Sequence, residues 1–449
     1  MRAALVLLAF LAPSVLAAYP VPVDDEAVAG AQAWLRARTR ADGCVAADVT
    51  GACAHATTRD AILALSSTGA DPTTWSTPSP INYVVGHRAE LEAEVGGCPA
   101  CGWAKTIVTL SASGLDPRAS GDYDYVARLD AFYDGVQVGD ARQINDDAWA
   151  LFAYASLDEA DASRVESIRL YLAARQNRGD GGWSWSLGPS EPWGTATVLL
   201  ALLETGTPAD DASVAQALAF LRSKVGPRGL ILQEGADSAE STAIALQAVR
   251  RAGRDPTAAD WVVEGHSPVD ALLSLQAADG SFAHNAAGGS RFLATTQVLP
   301  ALRGVPYPFR PPVLSFEAPA DAAIGTATTF SAQATDPDGR IAAFEWTLDG
   351  SSVGTSETVD VRWDVPGETT VGLRVVDDDG VSRVATANVH VHPAADGTNR
   401  TVEETPVVVA RASEAAKAAE GSGAAPGGAS VVAVAAVAAT AAWISRRHR

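Results

Sequence analysis

Apolar positions in the first two thirds of the chain come in blocks. Six runs of small and branched apolar residues each end on a small residue: "DAILALSSTG" at Gly69, "KTIVTLSASG" at Gly114, "DDAWALFAYAS" at Ser156, "TATVLLALLETG" at Gly206, "STAIALQAVRRAG" at Gly253 and "ATTQVLPALRG" at Gly304. The ends lie 42 to 51 residues apart, a period that means stacked supersecondary units. The runs are rich in Ala and Leu and five of the six carry a terminal Gly, which predicts helices rather than strands. Each is preceded by a stretch with a single apolar stripe; in "RVESIRLYLAARQ", Val165, Ile168 and Leu172 share one face with charges between them. A one-striped helix keeps a wet side, whereas a run apolar nearly all round, as at 198–203, must be enclosed. The pattern between residues 27 and 306 therefore predicts six hairpins, each with an outer and an inner helix.

Turn signals punctuate these units. "GADP", "GLDP" and "GRDP" at 69–72, 114–117 and 253–256 stop one helix and open another turn, and Ser79-Pro80 and Ser267-Pro268 are cap and first-turn pairs. "DG" at 42–43, 180–181 and 279–280, together with "PACGW" at 99–103, is expected where the outer helix ends and the chain reverses, with Gly supplying the positive φ. Trp183, Phe282 and Trp103 would then plug the gaps between units.

After residue 304 the pattern changes. "VPYPFRPPV", 305–313, holds four prolines and reads as a short stiff linker. From 314 onward short alternating runs such as "AAFEWTL", "TTVGLRVVD" and "ATANVHVHP" are separated by Gly, Asp and Pro turns, an all-β sandwich pattern. Residues 394–428 lack aromatics and are rich in Ala, Glu, Gly and Ser, as a flexible stalk would be. The expected order is a signal peptide at 1–18, helical repeats over 19–306, the linker at 307–313, the sandwich over 314–393 and the stalk. An apolar membrane or sorting segment at 429–445 and a basic tail at 446–449 complete it. That order predicts a chain exported and anchored at the cell surface, its bulk outside.

At Gln176, Gly181, Gly182 and Trp183 the sequence resembles the prenyltransferase and squalene-cyclase repeat of the α/α toroid superfamily. The resemblance implies that the six hairpins close into a ring. "FSAQATDPDGRIAAFEWTLDG" and "PGETTVGLRVVDDDG" resemble the PKD domain, an extracellular immunoglobulin-like module with Trp346 as its core tryptophan. The fold class is thus multidomain, an all-α toroid followed by an all-β sandwich.

Composition narrows the chemistry. Three lysines and a net charge of −20 exclude a nucleic-acid partner. In an exported chain Cys44 with Cys53 and Cys98 with Cys101 are disulfide candidates, and a zinc ion on the four thiolates is the other reading. Calcium near Asp336 or Asp338 is the second metal candidate, and no cofactor is otherwise expected. Asn399 begins a glycosylation acceptor sequence.

The acid motif of the cyclases and the zinc ligands of the prenyltransferases are not found, so the resemblance does not bring catalysis with it. Asp146 and Asp147, with Trp149 behind them, form the nearest acidic pair, and helix-dipole stabilisation alone would select them. Trp183, Trp185, Glu191 and Trp193 combine aromatics with an acid at one end of the ring, as a glycan or apolar ligand would require. Asp237 and Glu240 are candidates for the same rim, and His284, which follows the loop of the sixth unit, is a candidate to face a cavity. The expectation is a non-catalytic surface protein that displays its toroid for a protein, glycan or small ligand, with the PKD module as spacer and the C-terminal helix in the membrane. A secreted glycan- or polymer-active enzyme and a capture protein for a cobalamin-like molecule are the alternatives.

Overall fold

A computed structural model describes residues 17–393 apart from 49, 94–97, 158, 159 and 187, together with the strand 407–411. Most of the expected signal peptide, Asn399, the apolar segment 429–445 and the basic tail lie outside the described residues. Among the described residues no helix is long and apolar enough to cross a membrane.

The helical part consists of six hairpins. The first pairs α1 (Glu26–Arg36) with α2 (His55–Ser66), and the second pairs α3 (Pro80–Gly86) and α4 (Arg88–Glu92) with α5 (Pro99–Ala112). Then come α6 (Tyr125–Asp130) with α7 (Asn145–Ala155), and α8 (Ala162–Ala174) with α9 (Pro192–Glu204). In the fifth, α10 (Ala212–Arg222) leads through a ribbon, β1 (Leu232–Gln233) and β2 (Ala236–Asp237), into α11 (Ala239–Arg251); α12 (Pro268–Leu273) and α13 (Arg291–Arg303) form the sixth. The inner helices α2, α5, α7, α9, α11 and α13 each pack on the next, and α13 packs back on α2, so the ring is closed. Their burial matches the enclosed pattern: all residues of α9 from Gly194 to Leu203 are buried, whereas Ile168 and Leu172 are the fully buried positions of α8.

The "DG" turns are joints between neighbouring hairpins. Asp42, Asp180 and Asp279 each accept the amide two residues on, and Gly43, Gly181 and Gly280 all take positive φ. Gln176 Nε2 donates to Gly181 O of its own turn at 2.8 Å and to Ser213 O of α10 at 2.9 Å, which ties hairpin four to hairpin five. Gln276 Nε2 does the same for hairpins six and one, donating to Gly280 O at 3.0 Å and to Ala27 O at 2.7 Å. Gly280 touches the backbone of Gly30, and a Cβ there would collide with the Gly30 carbonyl. Gly280→Ala is therefore expected to cost about 1–3 kcal/mol. Gly253→Ala, at the same sign of φ but in open space, is expected to lose less; urea midpoints of the two variants check the difference.

Two sequence expectations are corrected here. "PACGW" is not a reversal: Cys98 is the N-cap of α5 and the segment forms its first turn, because Pro99 is compatible with the first helical position. Trp103 is buried from within that helix. The thiolates do not gather either, since Cys44–Cys53 and Cys98–Cys101 are each joined as a disulfide. A four-thiolate cluster is therefore absent among the described residues.

The β domain follows. Its strands are β3 (Val313–Pro319), β4 (Asp321–Ala323), β5 (Ala327–Ser331), β6 (Gln333–Thr335), β7 (Ile341–Leu348), β8 (Ser351–Gly354), β9 (Thr358–Arg362), β10 (Gly367–Asp377), β11 (Ser382–His392) and β12 (Val407–Arg411). They form sheets ordered β4-β11-β10-β7-β8, β12-β3-β6 and β5-β9. Trp346 is fully buried, edge-on to Phe316 at 5.1 Å, and its Nε1 donates to Ser356 O. The stalk expectation fails for residues 407–411: this Val-rich stretch pairs antiparallel with the edge strand β3, which covers an otherwise open row of backbone groups.

The linker is no spacer. Val305, Tyr307 and Phe309 are buried in the helical core, and the three alternate with Pro306 and Pro308. Tyr307 N donates to Gln247 Oε1 of α11 at 3.0 Å, and its ring lies 6.0 Å from Trp149 of α7. The β domain docks on the ring end formed by the C-termini of the inner helices. Val381 enters the helical core, buried Arg383 pairs with Asp71 at 3.4 Å, and Arg303 reaches Gly380 O. Beside this junction Arg251 pairs with Glu204 at 2.7 Å, and burial pushes Glu204 up to about 8.

Candidate functional site

The opposite end of the ring, at the N-termini of the inner helices, carries the sequence-predicted residues. Between the two ends aromatic side chains pack on one another. Trp149, 4% exposed, meets Phe152 edge-on at 5.3 Å and faces Tyr307, which stacks on Phe309. The Lys105 ammonium sits 4.6 Å from the Trp149 ring centroid, a cation–π contact from α5. Two concave regions lie away from this end, one of about 120 Å³ beside residues 73–82 and an open depression of about 820 Å³ on the β domain near Asp321 and His392.

Asp146 and Asp147 open α7 and turn toward the start of α5 and loop 138–140. Both are fully buried. Asp146 Oδ1 accepts from Ala100 N of α5 at 3.0 Å, and Oδ2 accepts from Asp140 N at 3.2 Å. Asp147 Oδ1 accepts from Val138 N at 2.7 Å, and its other oxygen has no partner among the described residues. Burial raises both carboxyls, Asp147 up to about 8. The pair therefore locks loop 138–140 and the neighbouring helix through hydrogen bonds, and its burial leaves little charge for the helix dipole to stabilise.

The tryptophans divide. Trp183 belongs to the scaffold: it is 1% exposed, donates from Nε1 to Leu172 O of α8 at 2.8 Å, and receives support from Thr195 of α9. Trp185 is half-buried and its carbonyl accepts from Ile144 N of the preceding hairpin at 3.1 Å. Trp193, also half-buried, lies in the first turn of α9 next to Glu191.

Glu191, Trp193, Asp237, Glu240 and His284 form one strip across α9, the β1–β2 ribbon, α11 and loop 282–290. Glu191 is the N-cap of α9 and accepts from Trp193 N at 2.9 Å and Gly194 N at 2.6 Å. Gln233 joins the two sides: its Nε2 donates to Glu191 Oε2 at 2.8 Å, while its Oε1 accepts from Trp193 N and Ser241 Oγ, each at 3.2 Å. Burial pushes the Glu191 carboxyl up against the pull of these donors. Asp237 pairs with Arg228, and its carbonyl accepts from Asn285 Nδ2. Glu240 pairs with His284 Nδ1 and accepts from Ser238 Oγ; the hydrogen bond to Glu240 raises the imidazole. Sequence reasoning missed Gln233 and Arg228. Gln233 lies four residues before Asp237, but a lone Gln carries no signal until its partners on other helices are known.

In the β domain, Asp338 Oδ2 accepts from Arg310 N at 2.8 Å, and burial followed by Asp336 pushes its carboxyl up to about 8.

Comparison with known proteins places the second domain firmly. Residues 310–391 match the family model of the PKD domain. No curated protein matches the chain. Among solved structures the chain is similar to the type II terpene cyclase MstE from Scytonema, with 14% identity, 62% of this chain and 96% of that chain covered, and a TM-score of 0.46. It is also similar to a glycosidase in complex with glucose, at 16% identity, 62% and 95% coverage and a TM-score of 0.46. A third likeness is to the fibronectin(III)-like modules of Clostridium thermocellum CbhA, at 20% identity and a TM-score of 0.19; it covers 20% of this chain and 52% of that chain, about half its length.

Proposed function

We propose that this is a non-catalytic binding protein held outside the cell, whose ligand surface is the strip of Trp193, Glu191, Gln233, Asp237, Glu240 and His284. The burial of Trp149, Tyr307 and Phe309 against one another among the inner helices is the observation that carries this reading. An enzyme or a corrinoid carrier of toroid type would use a central well, and a cluster of Trp149, Tyr307 and Phe309 packed among the inner helices leaves less room for one. The acids of the strip are also engaged: Glu191 by two amides and Gln233, Asp237 by Arg228, Glu240 by His284. Aromatic faces flanked by fixed polar groups suit a polyhydroxylated ligand such as an extracellular glycan. Export through the N-terminal segment and anchoring through 429–445 belong to the same proposal. The β domain then acts as a platform bound to the far end of the ring, which leaves the strip facing outward.

The test is retention of the exported chain on immobilised polysaccharides with parallel assay of reducing ends. Binding weakened about tenfold or more by Trp193→Ala, with no release of reducing ends, is the expected result. Turnover that Glu191→Gln abolishes would replace this reading with the glycan-active enzyme, for which Glu191 would be the general acid.

A further inference from the structure

The two disulfides differ in setting. Cys44–Cys53 ties the loop between α1 and α2, and Cys44 is fully buried. Cys98–Cys101 spans two residues at the very start of α5, a helix of 14 residues. Loop-closure entropy grows with loop length, so the second bond restrains the unfolded chain least. Its position is instead that of a reactive pair. Cys98 is the half-buried N-cap residue, and Cys101 lies one turn in, 6% exposed. The unpaired amides and positive end of a helix stabilise a thiolate at that place.

A second feature points the same way. Fully buried Asp146, from the neighbouring hairpin, sets Oδ1 3.0 Å from Cys98 Sγ, and one carboxylate oxygen and both sulfurs lie within 4.8 Å of one another. A disulfide sulfur has no proton to donate, so this contact gains a hydrogen bond only when the pair is reduced. Burial holds the carboxyl above its ordinary range, so it takes up and releases a proton closer to neutral pH than a free aspartate does.

We propose that Cys98 and Cys101 form a redox-active pair that exchanges with an external dithiol, with Asp146 as the proton carrier beneath it. A partner thiolate attacks Cys98 Sγ, the Cys98–Cys101 bond breaks, and Cys101 leaves as a thiolate that takes a proton from Asp146. The partner's second thiolate attacks the partner sulfur of the mixed disulfide and expels Cys98. The partner is oxidised from dithiol to disulfide, and the protein disulfide is reduced to a dithiol. The two protons lost by the partner end on the two cysteines, one of them by way of Asp146, which is reprotonated from solvent. The reverse sequence reduces a partner disulfide.

The native protein with both bonds closed is equilibrated with mixtures of reduced and oxidised dithiothreitol, quenched in acid, labelled with a maleimide and mapped by peptide mass. Cys98–Cys101 is expected to open while Cys44–Cys53 stays closed and circular dichroism is unchanged. With dithiothreitol as donor, the protein is expected to speed insulin reduction several-fold over the reagent alone; Cys44→Ser/Cys53→Ser keeps that activity, and Cys98→Ser/Cys101→Ser loses it. Should the latter variant misfold, Cys101→Ser alone is expected to trap a stable mixed disulfide at Cys98. Asp146→Asn is expected to move the thiolate absorbance of the reduced protein to lower pH by about one unit, because a negative neighbour is removed. Both bonds opening together only on unfolding, no acceleration with intact protein, or a reduced pair that binds zinc and is inert to disulfides would each overturn the proposal.

Discussion

Replacing Tyr307 by alanine is expected to lower the stability of the protein by about 3–5 kcal/mol, the range for removing a large ring from a packed core. The side chain is 1% exposed, stacked on Phe309 at 6.3 Å between ring centroids and tilted against Trp149 at 6.0 Å. It has no second role that could offset the loss, because its backbone amide, bonded to Gln247, survives the substitution. The effect should also reach across domains. Tyr307 sits between the ring and the β domain, whose Val381 enters the same helical core and whose Arg383 is buried against Asp71. Urea unfolding followed by circular dichroism and by tryptophan fluorescence should give one coincident transition in the parent and a lower midpoint in the variant. A cost below about 1 kcal/mol would mean that the linker is not part of the core.

The second large effect is on pH dependence. Asp147 is fully buried, and its carboxyl is pushed up to about 8, first by burial and further by Asp146, against the Val138 amide and Arg175. An unfolded chain releases that proton near pH 4. Between those values the native state binds the extra proton, so stability contributed by the protonated group is complete below about pH 4 and is lost as pH rises toward 8. Glu204 and Asp377, raised to about 8 chiefly by burial, act in the same direction. Asp147→Asn keeps an oxygen for the Val138 amide and has no charge to bury. It should match the parent at pH 4 and exceed it at pH 9 by an amount on the order of a few kcal/mol. Denaturant titrations at the two pH values check this; equal midpoints at pH 9 would show that Asp147 ionises without cost.

Much of the fold was legible because burial in regular elements is periodic. The enclosed inner helices and striped outer helices appeared as two kinds of apolar pattern, and Trp346 stood out in its strand as the core residue it is. "VPYPFRPPV" misled for a physical reason: four prolines signal a stiff segment, but the alternate positions Val305, Tyr307 and Phe309 are all apolar and pack into the helical core. The strip at the ring mouth was legible only in part. Glu191, Trp193, Asp237, Glu240 and His284 were named as side chains with chemistry, yet their partners were not, and the partners determine what each carboxyl can do.

From its residues alone the chain determines six hairpins, the two kinds of helix within them and a β domain behind them, since these follow from spacings of a few positions along one element. The tertiary structure alone decides which polar groups meet. Gln233 reaches Glu191 across 42 residues, His284 reaches Glu240 across 44, Ala100 meets Asp146 across 46, and Gln276 holds Ala27 across 249 to shut the ring. Such pairings depend on how rigid helices are placed against one another, and local periodicity records that each face is covered without recording by what.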